Sequence, residues 1–314
     1  MAMYALALMP LVDSLRPDAS EDGKTRMPTQ AWYADDSQSG GNLPAVLRWW
    51  NALCKFGPAY GYYPKASKSW LVVKPHAMEE ANKLFEGTDV NITEGGKRDL
   101  GAAIGSDLFI EKYLKGKVEE WQGRVETLAA FAQTQPHAAH AAFTHALRHT
   151  WSYTQRTMST LNVHMGSLED SIRTKLIPAL FGDKDVMSDN ERALYALPAR
   201  FGGLAIDNPQ IDSQTKFLES VELTGALKLL ILSSEREWKV DEAEQKKLKA
   251  MIKLRREIEY KKSADELKKG FDSEIRRAMT LAQEKGASAL LTVLPLAKYG
   301  FAFTSKRDFR DLLR

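Results

Sequence analysis

Cysteine is almost absent: Cys54 is the only one in 314 residues. A lone thiol rules out an intramolecular disulfide and fits a reducing, intracellular compartment, nucleus or cytoplasm. Long apolar runs are missing as well. The stretch Met1–Leu15 is the most apolar near the start, yet it has no basic residue ahead of its run and is too short to cross a bilayer, so a buried helix is expected there rather than a signal peptide or span. Nothing later approaches a span, and no membrane partner is expected. The chain also lacks an internal repeat, a glycine-rich phosphate loop and the spacing of a nucleophilic triad. Charge of one sign is scarce: 44 Lys and Arg face 41 Asp and Glu, a net +3. Any role with nucleic acid must therefore rest on local patches rather than on the overall field. What is present, 44% apolar and 27% charged residues, is the composition of a folded chain long enough for two domains or for one domain with a helical extension.

The chain is organised around Ala31-Trp32-Tyr33-Ala34-Asp35-Asp36-Ser37. Aromatic and small residues lead into two adjacent carboxylates, and Ser37-Gln38-Ser39-Gly40-Gly41 comes next, which reads as a strand, a tight turn and a return. Successive side chains of a hairpin point to opposite faces, so Asp35 and Asp36 cannot both enter one core; at least one stands at the tip, able to hold a divalent cation. Ala2–Leu15 reads as a core helix, apolar nearly all round. Arg16–Thr29 reads as a loop and Leu43–Leu53 as an amphipathic helix stopped by Gly57 and Pro58. A turn from Gly61 leads past Lys65, Lys68 and Ser69 into an apolar strand at Trp70–Lys74. Ala77–Phe85 is helical and Val90-Asn91-Ile92 is a short strand.

Tyr33-Ala34-Asp35-Asp36 resembles the polymerase box of reverse transcriptases of the non-LTR retrotransposon type. The order of the later segments is similar too. Gly61, Lys68 and Ser69 stand where that family has Gly, Lys and Thr ahead of a strand, with Lys65 replacing an Asn; Leu100-Gly101 resembles the turn that grips the primer. Leu197-Pro198-Ala199-Arg200-Phe201-Gly202-Gly203-Leu204-Ala205-Ile206-Asp207-Asn208-Pro209 resembles a segment common after the palm, with Ala205 in place of a Gly. The resemblance covers most of the first 210 residues. It implies Asp35 and Asp36 as catalytic ligands of Mg2+ or Mn2+, Lys68 as a catalytic cation beside the triphosphate, and Tyr33, Leu100 and Gly101 as nucleic-acid contacts. It also places a third carboxylate and the triphosphate-binding fingers ahead of a segment that the family has just before the helix at Ala2, so the chain is expected to lack part of the apparatus. An exposed sheet edge and poor solubility would result.

Beyond Asp107 the pattern is helical. Phe109, Tyr113, Val118, Trp121, Val125, Leu128 and Phe131 mark one face of a long helix, and Ala139, Ala142, Phe143, Leu147 and Trp151 mark the buried face of a second, from Ala138 to Trp151. A third helix is expected at Thr157–Leu180. His145 and His149 would share a helix face, but the stretch His-Ala-Leu-Arg-His carries neither cysteine nor glutamate, so helix polarity or phosphate contact stands ahead of zinc binding. Between Glu244 and Arg277, 12 Lys or Arg face 7 Asp or Glu. Such a helix can follow phosphates, with Lys261 and Lys262 among its contacts, or simply form i,i+4 pairs with its acids. The apolar tail Gly286–Leu296, with Gly300-Phe301 and Phe309, is expected to dock.

The resulting expectation is an α+β fold: a partial right-hand palm at 1–105, a small antiparallel sheet bearing the hairpin, then an all-helical thumb-like region at 106–212 and a basic helical region at 213–314. The expected function is RNA-directed DNA polymerisation on an RNA template and DNA primer strand with deoxynucleoside triphosphates, incomplete in this chain. The alternative is a non-catalytic nucleic-acid-binding remnant of a retroelement.

Overall fold

A computed structural model describes residues 2–16, 28–182, 187–233, 241–284, 287–292 and 305–313. The fold is mixed α and β, mostly helical, with strands only in two-stranded ladders among the described residues. Contacts divide the chain into two units, residues 1–111 with 224–241 and residues 112–223 with 242–314.

The first unit opens with α1 (Ala2–Ser14). Its apolar residues do not all enter the core. Leu8, Leu11 and Leu15, spaced i, i+3 and i+7, are buried, while Met3, Leu6 and Met9 face outward. Strands β1 (Thr29–Tyr33) and β2 (Asp36–Gly40) pair antiparallel with Tyr33 opposite Asp36, leaving Ala34 and Asp35 as a two-residue turn. Such turns need a positive φ at the first central residue, and Ala34 adopts +55°. Helix α2 (Leu43–Phe56) starts where Asn42 Oδ1 accepts from Ala45 N at 2.9 Å, and it ends at Gly57. Its buried residues Trp49, Trp50 and Leu53 pack with Leu8, Leu11, Leu15 and Tyr62. Gln30 joins these layers: its Oε1 accepts from the indoles of Trp32 (3.1 Å) and Trp49 (3.0 Å), and its Nε2 donates to Val12 O (2.9 Å). The base of the hairpin is thus tied to both helices.

The expected single antiparallel sheet is corrected in two respects. Strands β3 (Trp70–Val72) and β4 (Asn91–Thr93) pair in parallel, because α3 (Met78–Leu84) carries the chain back to the starting edge before it extends again. Strands β5 (Gly96–Asp99) and β6 (Ala102–Gly105) form a further hairpin of their own, so the described strands make three separate ladders. Its turn is Leu100-Gly101, with φ of +44° and +83°.

Helix α4 (Asp107–Ala132) leads into the second unit, where Leu114, Val118, Trp121, Val125, Ala129 and Ala132 are buried; Phe131 lies outside on the solvent face. The predicted helix over Ala138–Trp151 is broken. Helix α5 (Pro136–His145) stops at Ala146, and a short 3-10 turn (Leu147–His149) succeeds it, so His145 and His149 do not share one helix face. Trp151 is fully buried between Trp121 and Phe143. Thr157–Leu180 is likewise several short pieces: α6 (Ser152–Thr157), α7 (Leu161–His164), α8 (Gly166–Ser171), a π-helical turn (Ile172–Leu176) and α9 (Ile177–Phe181). After α10 (Asp189–Ala196), opened by a capping box between Ser188 and Glu191, come α11 (Pro209–Ser233), the basic α12 (Glu242–Gly270), α13 (Ser273–Ala282), α14 (Ala289–Thr292) and α15 (Lys306–Leu313). The predicted loop lies outside the described residues over 17–27, as does most of the predicted apolar tail, including 293–304. Phe309 does dock, fully buried.

Candidate functional site

The hairpin tip gathers the predicted acidic pair. Asp35 and Asp36 are both exposed, and Tyr33 beside them has 66% of its surface accessible. Support comes from behind. Tyr62, buried against Trp32 at 5.3 Å between ring centroids, donates its hydroxyl to Asp35 O (3.0 Å). That uses its only proton, so Ser37 Oγ, 2.8 Å away, must donate to it. Burial raises the Tyr62 pKa, and the nearby Asp36 and Asp35 charges add to that, while Ser37 opposes it. The phenol therefore stays a donor, holding the turn backbone while both carboxylates point to water.

A third carboxylate, which the sequence reading passed over, lies within electrostatic reach. Gln38 on β2 donates Nε2 to Asp99 Oδ2 at 2.7 Å, linking the first hairpin to the one that carries Leu100-Gly101. Partial burial raises the Asp99 pKa, and the charge of Asp36 raises it further. The residue sits one position before the Leu100-Gly101 turn; no local pattern marks it, because only the contact between two separate hairpins brings it beside β2. Mutual repulsion of this kind is relieved by a hard cation, and carboxylate oxygens are the right donors for Mg2+ or Mn2+. The fit is limited to the pair Asp35 and Asp36: among the described residues no three His, Cys, Asp or Glu are grouped to hold a metal.

Other predicted site residues are dispersed. Lys68 ends a 3-10 turn (Ala66–Lys68) and is exposed; no ion pair joins it to either aspartate among the described residues. The Asn91 side chain braces that turn by donating to Ser67 O and Ser69 O. Lys261 and Lys262 lie on α12 in the second unit, both exposed, with Lys262 4.0 Å from Glu266. Several cations of the same helix are already engaged, Arg255 by Glu222 and Arg256 by Glu219, so its surplus of positive charge is smaller than the sequence count.

The second distinctive segment, Leu197–Pro209, is a structural knot. A Cβ on Gly203 would fall 2.1 Å from Leu197 O, so the two strands of the loop approach as only glycine allows. Three side chains clamp its carbonyls: His140 Nε2 donates to Leu204 O (2.8 Å), Arg148 to Ala205 O (2.8 Å) and Arg192 to Ile206 O (2.7 Å). A carbonyl only accepts, which fixes the proton on Nε2, and burial pushes the His140 pKa down to about 4. Arg192 also forms a buried bidentate pair with Glu169 at 2.6 and 2.7 Å. Nearby, Lys216 lies 3.2 Å from Asp207 and 3.4 Å from Asp212. A cavity of about 810 Å3 beside this loop is lined by apolar groups such as Tyr195, Leu204, Ile275, Met279 and Leu312, and none of the predicted catalytic residues reaches it.

Among the described residues no helix is long and apolar enough to cross a membrane. No protein-family model, curated protein or solved structure matches the chain.

Proposed function

We propose that this chain is a reverse-transcriptase-type nucleotidyltransferase polypeptide whose hairpin presents Asp35 and Asp36 to Mg2+ or Mn2+ at the primer terminus. The observation that carries the reading is the two-residue turn at Ala34-Asp35, which leaves both carboxylates exposed on a hairpin braced by Tyr62. The sequence of elements also supports it: helix, acidic hairpin, helix, strand and Leu-Gly hairpin occur in the order that the resembled palm has. Bound divalent ions would supply Lewis-acid activation and charge neutralisation. The chain's own groups then act around them. Asp35 and Asp36 would hold the cation, Tyr33 would offer its exposed ring to the primer strand, and the Leu100-Gly101 turn, linked to the acidic hairpin through Gln38 and Asp99, would hold that strand. Lys68 stands as an exposed cation for the triphosphate. Lys261 and Lys262 contribute contacts to phosphates of an RNA–DNA duplex. With only two carboxylates grouped for metal among the described residues, the reading includes an incomplete catalytic centre.

Binding of an RNA–DNA primer-template tests this, measured with and without Mg2+ or Mn2+ for the chain and for Asp35→Ala. Binding strengthened by the metal, with the strengthening lost in Asp35→Ala, is the expected outcome. Salt-sensitive duplex binding indifferent to metal and to Asp35→Ala would leave only the non-catalytic role, and no binding under any of these conditions would overturn the proposal.

A further inference from the structure

Helices α10 and α13 each turn one face toward a common space. Glu191, Leu194 and Tyr195 (i, i+3, i+4) come from α10; Ile275, Met279 and Ala282 (i, i+4, i+7), with Glu274 and Ala278 beside them, come from α13. That space is the cavity of about 810 Å3 beside the Gly202-Gly203 loop, a size at which proteins hold small molecules, roughly 300–1,000 Å3. Its floor is apolar: Phe181, Leu194, Tyr195, Leu204 and Met279 are all buried, and the rings of Phe181 and Tyr195 lie 5.0 Å apart between centroids. Gly202, with a φ of +88°, brings the loop against α13, since a Cβ there would lie 3.2 Å from Met279 Cα. The polar groups stand toward solvent. Glu274 is exposed, and Glu191 and Ser288 are half-buried. No Lys, Arg or His lines the cavity among the described residues. Structural duties account for one carboxylate and not for the other. Glu191 closes the capping box with Ser188 N and Oγ (2.8 and 2.9 Å). The cap of α13 comes instead from Asp272, whose Oδ1 accepts from Ile275 N at 2.9 Å, and among the described residues no hydrogen bond or ion pair engages Glu274. The neighbouring Arg276 turns back to Asp272 O (3.2 Å). An apolar, partly aromatic floor is thereby joined to an acidic rim that no lining cation neutralises.

We propose that this cavity is a binding site for an amphiphilic amine, a molecule with an apolar chain or ring and one cationic nitrogen. The apolar part lies on the floor of Leu194, Tyr195, Leu204 and Met279, where it replaces water against apolar surface. The nitrogen stays at the rim, where Glu274 and Glu191 supply the opposite charge. A fatty acid of the same chain length meets the same floor but a like-charged rim, so charge rather than fit sets the preference. The site belongs to the second unit alone and does not rest on the polymerase reading.

Isothermal titration of the full chain with decylammonium and with decanoate, each below its micelle-forming concentration, tests the site. Decylammonium should bind about ten-fold or more tighter than decanoate. Glu274→Gln should shrink that preference by about three-fold or more. Ala278→Trp places an indole at an exposed helix position that lines the cavity, and it should weaken both ligands together. If that variant fails to melt cooperatively, Ala282→Trp, one turn further along the same face, takes its place with the same result expected. Binding of neither amphiphile, or decanoate binding as tightly as decylammonium, overturns the proposal. So does a preference unchanged in Glu274→Gln, or binding undiminished in a cooperatively folded tryptophan variant.

Discussion

Among single residues, two alanines sit where the backbone wants glycine. Ala34 and Ala205 both have a φ of +55°, a conformation that costs an L-residue about 1–2 kcal/mol. Ala205→Gly should raise stability by about 1 kcal/mol in denaturant titration, whereas Gly203→Ala, which drives a Cβ into Leu197 O, should lower it by more than that. The need for a flexible turn at Gly202-Gly203 was legible in the sequence, and the Ala205 departure was too. The reason for the loop was not, since its clamps His140, Arg148 and Arg192 come from three distant positions. Burial also sets a pH dependence here. Asp212, beside Asp207, Lys216, Arg256 and Tyr260, has its pKa raised to about 6, by burial first. A raised carboxyl pKa stabilises the fold fully below the unfolded value near 3.8 and loses that contribution as pH rises through about 6. Asp212→Asn should therefore be more favourable, relative to wild type, at pH 7.5 than at pH 4. The difference should be about 1–2 kcal/mol, discounted because the Asp212 side chain is 30% exposed. His140 acts oppositely: with its pKa at about 4, its contribution is present above about 6.5 and fades as pH falls towards 4.

Among the elements, the acidic hairpin is stabilised from outside its own ladder. Tyr62→Phe removes the bond to Asp35 O and orphans Ser37 Oγ, so amide exchange in the turn should accelerate several-fold, with about 1 kcal/mol lost locally. Unchanged protection at residues 34–37 would show that the turn needs no such brace. The acidic hairpin was legible because its turn leaves a local signature, whereas the Leu100-Gly101 turn was legible only through its place in the order of the resembled segments. The parallel pairing of β3 with β4 was not, because it depends on where α3 returns the chain. The histidines illustrate the same limit. His137 and His140 are buried against Phe309, which belongs to the last described helix; no local pattern encodes that contact.

The molecule as a whole holds two compact units with different chemical characters. The first exposes carboxylates on a braced hairpin. The second buries its polar groups: the Glu169–Arg192 pair is held by two parallel hydrogen bonds with a third to Ile206 O, and Arg192→Met should cost about 3–5 kcal/mol by leaving Glu169 buried without its partner. A mixed and mostly helical fold was legible from composition and periodicity; the grouping of residues 224–241 with the first unit was not, because they come after most of the second in sequence. The proposed function stands or falls on whether Asp35 and Asp36 hold a divalent cation against the primer terminus. Replacing magnesium by Fe2+, with ascorbate and hydrogen peroxide, in the presence of an RNA–DNA primer-template tests it, since the hydroxyl radicals formed as Fe2+ reduces the peroxide cut whatever backbone lies next to the ion. The expected result is cleavage of the chain around residues 33–37 and of the primer near its 3′ end, both lost in the Asp35→Ala, Asp36→Ala double variant. Cleavage confined to other segments, or undiminished in the double variant, would refute the assignment of the metal to this hairpin.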